Sequence, residues 1–214
     1  MQVILLGPPG AGKGTQAAKI SAFFNLEQLS TGDMLRKVAA SSTELGKHIN
    51  NLMVEGNLIP DATIIDMVQA YMSECANSNG YLFDGFPRTL AQAKSLTDAG
   101  ISITHVINID IDSSLIIERL GGRRIHKSSG RTYHVLNNPP KQEGLDDITG
   151  EALEVRKDDV PDAIRHRLEI FHKENNPIVS YYKQLAESGL VKFSNLDGNL
   201  SIDDTTSAIQ DILS

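Results

Sequence analysis

Apolar residues along the chain fall into short continuous runs, separated by longer stretches in which they recur with a helical period. Residues 3–6, 81–84 and 104–110 form such runs, and residues 190–195 form a further one near the end of the chain. Continuous runs of this length are typical of strands that are buried on both faces of a parallel sheet. Strands that alternate with helices predict an α/β fold of three layers, in which helices flank a parallel sheet.

The helical stretches are short in the first half of the chain and long in the second. A first helix is predicted to end near Phe24, and further helices are predicted at 31–40, 43–54, 61–75, 93–98 and 202–213. A long helix begins at Pro161, a residue that suits the first helical position, and runs toward Gly189. Pro177 should kink this helix or force a local adjustment. The brevity of the helices within residues 30–59 predicts a small helical insertion beside the sheet.

Residues 122–159 differ in character from the rest of the chain. They contain turn signals at 128–130, 137–140 and 149–150 and show little helical periodicity. This pattern predicts a small β-rich insertion. The predicted division of the chain is therefore a core of residues 1–29, 60–121 and 160–214, a helical insertion of residues 30–59, and a β-rich insertion of residues 122–159.

Residues 7–15 read GPPGAGKGT and lie between the first predicted strand and the first predicted helix. In this context glycines let backbone N–H groups face one concavity, and the helix N-terminus adds partial positive charge, so the main chain can hold a polyphosphate. Lys13 can then reach the outer phosphates. The strict phosphate-loop motif has a hydroxyl directly after the lysine, whereas here Gly14 intervenes before Thr15. A glycine-rich turn that only packs is the alternative.

Composition narrows the class of protein. The net charge of −7 argues against a nucleic-acid-binding surface, since such surfaces are basic. The single cysteine, Cys75, excludes an internal disulfide, suits a reducing cytoplasm and is expected to be a small buried hydrophobe in a helix. The first apolar run is too short for a signal peptide, and no run approaches the roughly 18 apolar residues of a membrane span. We therefore expect a cytoplasmic protein.

Arginines stand at the junctions of the predicted segments. The planar guanidinium group makes paired contacts with phosphate, and phosphoryl transfer requires positioning and charge neutralisation more than covalent chemistry. An isolated arginine is usually a solvated surface residue. Several of them at junctions, beside a phosphate loop in an acidic chain, favour a phosphate site. These residues are Arg36, Arg88, Arg119, Arg123, Arg124, Arg156, Arg165 and Arg167.

Five motifs of the chain resemble, in order and spacing, those of the adenylate kinase family. They are residues 7–15, 30–36 (STGDMLR), 84–89 (DGFPRT), 122–124 (GRR) and 156–159 (RKDD). The resemblance runs essentially from end to end. It implies a phosphate-loop α/β fold in which residues 30–59 bind AMP and residues 122–159 form a lid. It also implies a Mg²⁺-dependent reaction that converts ATP and AMP into two ADP.

The resemblance implies roles for individual residues. ATP would be bound by Gly10, Ala11, Gly12, Lys13, Gly14, Thr15, Arg119, Arg123, Thr132 and Tyr133, and by the main chain at Leu200, where the family commonly has a lysine. AMP would be bound by Thr31, Arg36, Asn57, Leu58, Ile59, Gly85, Phe86, Pro87, Arg88, Gln92, Arg156 and Arg167. The catalytic set around the transferred phosphates would be Lys13, Arg88, Arg123, Arg156 and Arg167.

Two further side chains carry a chemical argument of their own. The amide of Gln92 both donates and accepts, as the N6 and N1 edge of adenine requires, so it favours adenine over a pyrimidine. An exposed helical glutamine is the alternative. Asp84 closes a buried strand that faces the phosphate loop, where a carboxylate needs a cation or hydrogen bonds, and we expect it to hold Mg²⁺ through water. Asp33 is a weaker candidate, because its place in the first helical turn suffices to explain it.

Four residues of the predicted lid bear on metal binding. His126, Ser129, Asp146 and Thr149 stand where the zinc-bearing branch of the resembled family has mostly cysteines. Serine and threonine are poor zinc ligands. We therefore expect a hydrogen-bonded polar cluster and no structural zinc.

Alternative functions remain open from the sequence. The nearest is a nucleoside monophosphate kinase for UMP, CMP or GMP. A nucleotide-sensing switch and a β-ribbon that binds nucleic acid are less favoured, because the chain lacks an Asn-Lys-x-Asp motif and has acidic pairs at 146–147 and 158–159. Gly121 and Gly122, at the entrance to the lid, predict a loosened hinge that favours the open state and faster product release. Closure around two nucleotides suits a monomer.

Overall fold

The computed structural model describes residues 1–75 and 77–214, which form alternating strands and helices. The strands are β1 (Gln2–Leu6), β2 (Glu27–Ser30), β3 (Tyr81–Asp84), β4 (His105–Asp110), β5 (Arg123–Ile125), β6 (Thr132–His134) and β7 (Lys192–Asp197). The helices are α1 (Lys13–Phe24), α2 (Thr31–Ala39), α3 (Glu44–Glu55), α4 (Asp61–Glu74), α5 (Leu90–Asp98), α6 (Ser113–Gly121), α7 (Pro161–Glu187) and α8 (Ile202–Leu213). None of the described helices is both long enough and apolar enough to cross a membrane.

Five strands form a parallel sheet in the order β2, β3, β1, β4, β7. The central strand β1 pairs with β3 on one side and with β4 on the other. Because all five strands run in one direction, their carboxyl ends meet at a single edge of the sheet, where α/β folds place their ligands. Strands β5 and β6 form a separate antiparallel pair.

Successive residues of β1 face opposite sides of the sheet, and each side carries its own hydrophobic cluster. Val3 and Leu5 pack in a cluster with residues of α1, α6 and α8. Ile4 and Leu6 pack in a second cluster, with residues of α2 to α5. A strand that is buried on both faces needs apolar side chains at every position, which explains the continuous run at residues 3–6. The predicted parallel sheet between two helical layers is thus confirmed.

Helix α7 contributes to both clusters. Ile164 and Leu168, in its first half, belong to the cluster of α1, α6 and α8. Ile178 and Tyr182, in its second half, belong to the cluster on the opposite face. The helix is continuous through Pro177, so the proline does not end it. Helix α7 therefore passes from one helical layer to the other.

The two insertions have different secondary structure. Helices α2 and α3 lie between β2 and α4 and pack against each other. Residues 122–159 contain the β5–β6 pair and isolated bridges that join Ile125 to Glu154 and Leu145 to Ala152. The first segment is therefore helical, and the second is β-rich.

Several local predictions differ from the structure. The sequence pattern does not predict β2, because only Leu29 of its four residues is fully buried. Strand β7 begins at Lys192 and not at residue 190, since Leu190 is 68% exposed. Helix α5 contains the predicted residues 93–98 and begins earlier, at Leu90, because the side chain of Thr89 caps it. Cys75 is half-buried at the end of α4 and is not a core residue.

Candidate active site

A cavity of about 1310 Å³ lies at the carboxyl edge of the parallel sheet. It exceeds the roughly 300–1,000 Å³ of a typical small-molecule site, so it has room for two ligands. The predicted site residues that line it are Gly10, Ala11, Gly12, Lys13, Gly14, Thr15, Thr31, Arg36, Asn57, Leu58, Ile59, Asp84, Gly85, Pro87, Arg88, Gln92, Arg119, Arg123, Thr132, Tyr133, Arg156, Arg167 and Leu200. Phe86 differs, because its side chain is 1% exposed and packs near Phe83 in the core.

The loop between β1 and α1 turns sharply at Gly7. Its φ is +141°, and a Cβ atom there would lie 2.5 Å from the carbonyl oxygen of Ile109, so only glycine fits. Helix α1 starts after Gly12, and among the described residues no side chain caps it. The first N–H groups of α1 therefore remain available to an anion at the positive end of the helix.

Lys13 is held close to this loop. Its Nζ donates to the carbonyl oxygens of Gly7 and Pro8 at 2.7 and 2.9 Å. Removal from water lowers the pKa of Lys13 to about 8; the charge of Asp84 opposes the shift, and nearby arginines, Arg88 first among them, add to it. An anion beside Nζ would favour the ammonium form.

Asp84 ends β3 next to the phosphate loop. A Cβ atom on Gly14 would lie 3.4 Å from its Oδ2, so the residue after the lysine faces this carboxylate. Burial raises the pKa of Asp84, while Lys13 and Arg88 counteract the shift. The described residues contain no group of three or more His, Cys, Asp or Glu side chains placed to hold a metal ion. Mg²⁺ keeps much of its water and needs few protein ligands, so one carboxylate oxygen beside bound phosphates fits this ion.

Three of the predicted site arginines form ion pairs with carboxylates of the described residues. In the most buried pair, Nε of Arg123 donates to Oδ2 of Asp159 at 2.7 Å, and a second nitrogen bonds the other oxygen. Such pairing orients a guanidinium group and offsets part of its charge. The sequence pattern predicts the arginines but not their partners, although the acidic pair after Arg156 was a visible signal. The pairs are Arg36 with Asp33, Arg123 with Asp159 and Arg167 with Asp158.

Arg88 and Arg156 form no ion pair with a carboxylate of the described residues. Nε of Arg156 is buried without a hydrogen-bond partner in the described part of the chain. Nε of Arg88 donates to the carbonyl oxygen of Gly85 at 2.8 Å. Arg88 is open to the cavity, yet the surrounding protein and Arg167 lower its pKa to about 10. Burial and Arg123 likewise lower the pKa of Arg156 to about 10. Buried arginines beside one another concentrate positive charge, which favours an anionic ligand.

Residues of segment 31–59 and of the loop after β3 also line the cavity. Ser30 caps α2 and thereby fixes the start of this segment. The hydroxyl of Thr31 donates to the carbonyl oxygen of Gly85 at 2.8 Å. Oδ1 of Asn57 lies 2.8 Å from Nε2 of His166, a residue of α7. These contacts join the helical insertion to the sheet and to α7.

Gln92 lines the cavity, but it is only 2% exposed and most of its amide is engaged. Oε1 accepts from the backbone N–H of Arg88, and Nε2 donates to Oδ1 of Asp61, both at 2.8 Å. Thr89 caps α5 by accepting from the backbone N–H of Gln92. The spacing of Thr89 and Gln92 is that of a capping box, which was a readable signal in the sequence. The alternative of an exposed helical glutamine is wrong.

The polar residues of segment 122–159 form one connected cluster around Asp146. Its carboxylate accepts from Arg131, from the hydroxyl of Tyr133 and from Thr149. Arg131 and these further hydrogen bonds hold the pKa of Asp146 well below its usual range. The hydroxyl of Tyr133 is therefore occupied, although the residue lines the cavity.

His126 joins the same cluster. Its Nδ1 lies 2.7 Å from Oγ of Ser129, and its Nε2 lies 3.3 Å from Oγ1 of Thr149. Nε2 also lies 2.5 Å from a carboxylate oxygen of Glu151. The four residues named from the sequence are thus brought together. Arg131 and Glu151 complete the cluster and are not predicted by the sequence pattern.

A family model described as adenylate kinase matches residues 5–187 of the chain. The match begins within β1 and ends with the last residue of α7. It therefore includes the phosphate loop, both insertions and the arginines that line the cavity. It covers well over half of the chain.

Proposed function

The chain belongs to the adenylate kinase family, and from that premise we propose that it transfers a phosphoryl group reversibly from ATP to AMP with Mg²⁺, giving two ADP. Members of this family are nucleotide-binding phosphotransferases, so kinase activity follows from membership, and the choice of AMP is the proposal. The observation that carries it is the cavity of about 1310 Å³, whose lining combines the phosphate loop, the amide of Gln92 and several arginines. Such a reaction keeps adenine nucleotides in balance.

ATP occupies the end of the cavity lined by residues 10–15. Its phosphates lie on the N–H groups at the start of α1, within reach of Lys13. Its adenine lies near Arg119, Thr132 and the main chain of Leu200, which also line the cavity. The absence of a side-chain cap on α1 among the described residues supports this placement.

AMP occupies the opposite end. Its base lies near Gln92 and the main chain of residues 57–59, and its phosphate lies near Arg36 and Arg88. Phe86 contributes through its backbone only, because its side chain is in the core. An amide that keeps one free N–H and one free lone pair can meet the acceptor N1 and the donor N6 of adenine.

The reaction is an in-line displacement. An oxygen of the AMP phosphate attacks the γ-phosphorus of ATP, and the bond from that phosphorus to the bridging oxygen breaks as the new P–O bond forms. The departing ADP takes the electron pair. Because both reactants are anions, the step depends on neutralising charge, which is the role of Lys13, Arg88, Arg123, Arg156 and Arg167. The lowered pKa values of Arg88 and Arg156, which burial and neighbouring arginines cause, support this role.

Asp84 is the residue that would hold Mg²⁺, through water, next to the phosphates. When bound, the ion neutralises charge on the β- and γ-phosphate oxygens. The position of Asp84 at the end of β3, facing Gly14, supports this assignment. Its burial among Lys13 and Arg88 indicates a site where phosphate and metal charges must balance.

Water must be kept from the γ-phosphorus, or ATP would be hydrolysed. We assign this task to residues 122–159 as a lid over ATP and to residues 30–59 as a flap over AMP. Both segments contribute residues to the cavity lining although they are distant in sequence. Closure of both would exclude water and bring the arginines onto the phosphates.

A coupled assay tests the proposal. Purified protein is given ATP and Mg²⁺ with AMP, GMP, CMP or UMP, and formation of nucleoside diphosphate is followed, with EDTA in a parallel set. We expect ADP formation with AMP at a rate far above that with the other acceptors, and its loss in EDTA. Preference for another acceptor would contradict the choice of AMP, and ATP hydrolysis that ignores the acceptor would contradict transfer altogether.

A further inference from the structure

The carboxylate of Asp61 joins the starts of two helices at the AMP end of the cavity. We propose that Asp61 is a positioning residue, which fixes the orientation of the Gln92 amide and thereby makes the site select a 6-amino purine over a 6-oxo purine. This inference rests on the proposed function, because it concerns the acceptor nucleotide of that reaction. Asp61 itself need not touch the nucleotide.

The contacts of Asp61 are made by both of its oxygens. Oδ1 accepts from Nε2 of Gln92 at 2.8 Å, and Oδ2 accepts from the hydroxyl of Thr89 at 3.0 Å. Asp61 is the first residue of α4, whereas Thr89 and Gln92 are the N-cap and third residue of α5. The carboxylate therefore ties α4 to the capping box of α5.

The amide of Gln92 is held between groups of opposite hydrogen-bonding character. A carboxylate only accepts, so it selects the Nε2 side of the amide. The backbone N–H of Arg88 only donates, so it selects the Oε1 side, at 2.8 Å. A flipped amide would place two acceptors together and two donors together. Since Gln92 is 2% exposed, water could not relieve either clash cheaply.

The fixed orientation leaves a defined pattern for the ligand. Nε2 keeps one N–H, and Oε1 keeps one lone pair, in fixed positions on a side chain that lines the cavity. Adenine presents an acceptor at N1 and a donor at N6, which match this pattern. Hypoxanthine presents a donor at N1 and an acceptor at O6, which do not match unless the amide turns over. A site with fixed polar groups rejects such a base because buried groups would lose their partners.

The direct test compares AMP with IMP, which differ in this edge of the base. Affinities for each nucleotide alone are measured by calorimetry, and acceptor kcat/KM is measured with ATP, for the unmodified chain, Asp61→Ala and Asp61→Asn. We expect Asp61→Ala to reduce the preference for AMP over IMP roughly tenfold, mainly through KM. Asp61→Asn retains an acceptor oxygen for Nε2, so its preference should stay within about threefold of the original. Asp66→Ala, an exposed carboxylate on the same helix, is the matched control and should change nothing.

A second variant keeps the test decisive if Asp61→Ala does not fold. Asp61→Asn combined with Gln92→Glu preserves the hydrogen bond between the two positions with its direction reversed, because the amide at position 61 now donates to the carboxylate at position 92. That carboxylate still accepts from the backbone N–H of Arg88. The side chain of residue 92 then presents only acceptors to the base, so adenine and hypoxanthine each keep one matching contact and one clash, and the preference for AMP over IMP should be lost. A double variant that keeps the original preference for AMP overturns the proposal, as does an Asp61→Ala variant whose preference for AMP over IMP is unchanged. In both cases AMP-dependent activity of the unmodified chain would leave the proposed function intact, whereas no binding of either nucleotide by that chain would overturn both.

Discussion

Lys13 donates to two carbonyl oxygens, which orient its ammonium group without neutralising it. Because its pKa is lowered to about 8, the free site loses this charge as pH rises through about 8. Bound phosphate favours the charged form, so nucleotide binding above that pH should take up a proton. We expect kcat/KM for ATP to fall over the same range. The pKa of Lys13 in the folded state lies below the ordinary lysine value of 10.5, so between about pH 8 and 10.5 this group makes the folded state more stable as pH rises.

Calorimetry in two buffers of different ionisation enthalpy measures this proton uptake. Titration of ATP at pH 8.5 should give an apparent enthalpy that depends on the buffer. At pH 7 the Lys13 contribution should be small, because the ammonium is already formed. Equal uptake at both pH values would show that Lys13 is not the responsible group.

The proposed role of Arg156 comes at a cost to the free protein. Its Nε is buried without a hydrogen-bond partner among the described residues, so Arg156→Gln removes an unsatisfied buried donor. We expect kcat/KM to fall roughly 10²- to 10³-fold, the usual cost of losing one donor to a developing anion. The free energy of unfolding should stay the same or rise.

The matched control for that variant is Arg165→Gln. Arg165 lies on α7 with a side chain that is 62% exposed, and it pairs only with the exposed Asp162 in the described structure. Its replacement should leave both activity and unfolding nearly unchanged. If Arg156→Gln behaved like Arg165→Gln in the assay, Arg156 would not act on the transferred phosphate.

At the scale of elements, Gly121 and Gly122 differ in their surroundings, because α6 ends at Gly121 and Gly122 follows it. A Cβ atom on Gly121 would meet no described atom within 4 Å, and its φ is not in the left-handed range, so nothing in the fold requires glycine there. A Cβ atom on Gly122 would lie 2.3 Å from the ring of His134. The hinge hypothesis therefore concerns Gly121, while Gly122 is set by close packing against β6.

Gly121→Ala and Gly121→Val should both reduce backbone freedom where α6 enters residues 122–159. We expect a gain of about 0.4–1 kcal/mol in the free energy of unfolding and a lower kcat where product release limits turnover. Stopped-flow fluorescence of nucleotide release and denaturant unfolding provide the two measurements. Gly122→Ala serves as contrast and should destabilise the β5–β6 pair. Release rates that do not change in either Gly121 variant would remove the hinge hypothesis.

The elements that can be predicted from the sequence are those whose burial is encoded locally. The run at residues 3–6 predicts β1 because every position is buried. Strand β2 escapes prediction because its stability comes from pairing with β3, far along the chain, and only Leu29 is deeply buried. The sequence pattern assigns Leu190 to β7 because it is apolar, but an apolar residue after a helix can stay exposed, as this one does. The phosphate loop and the arginines are visible at segment junctions, whereas the other predicted site residues follow from the resemblance to the adenylate kinase family.

The sequence does not predict which residues of the site are hydrogen-bonded to each other when they lie far apart along the chain. The amide of Gln92 is visible as a possible adenine contact, but its bond to Asp61 spans 31 positions. The partner of Arg123 is Asp159, which lies 36 positions away. Only the fold brings such groups within hydrogen-bond distance. The sequence therefore predicts which residues line the cavity better than it predicts how they are held there.

At the scale of the whole molecule, the proposed lid and flap should respond to different nucleotides. Hydrogen exchange with ATP alone should slow at residues 122–159, and exchange with AMP alone should slow at residues 30–59. Ligands present at about 100 times Kd stabilise the bound form by about 2.7 kcal/mol, enough for a large change in exchange at segments that open locally.

The sheet provides the internal control for that measurement. Amides of β1 are buried at the centre of the sheet, so they should exchange slowly with or without nucleotide. If ATP alone slowed residues 30–59 and 122–159 equally, the assignment of one nucleotide to each segment would be wrong.

The course of α7 also determines how the molecule comes apart. One helix of 27 residues carries Leu168 on one face of the sheet and Tyr182 on the other, over roughly 40 Å. Loss of packing on either face would free half of that helix and weaken its hold on the opposite face. The two hydrophobic clusters should therefore melt as one cooperative unit, and heating should give a single calorimetric transition for the sheet and both of its helical layers.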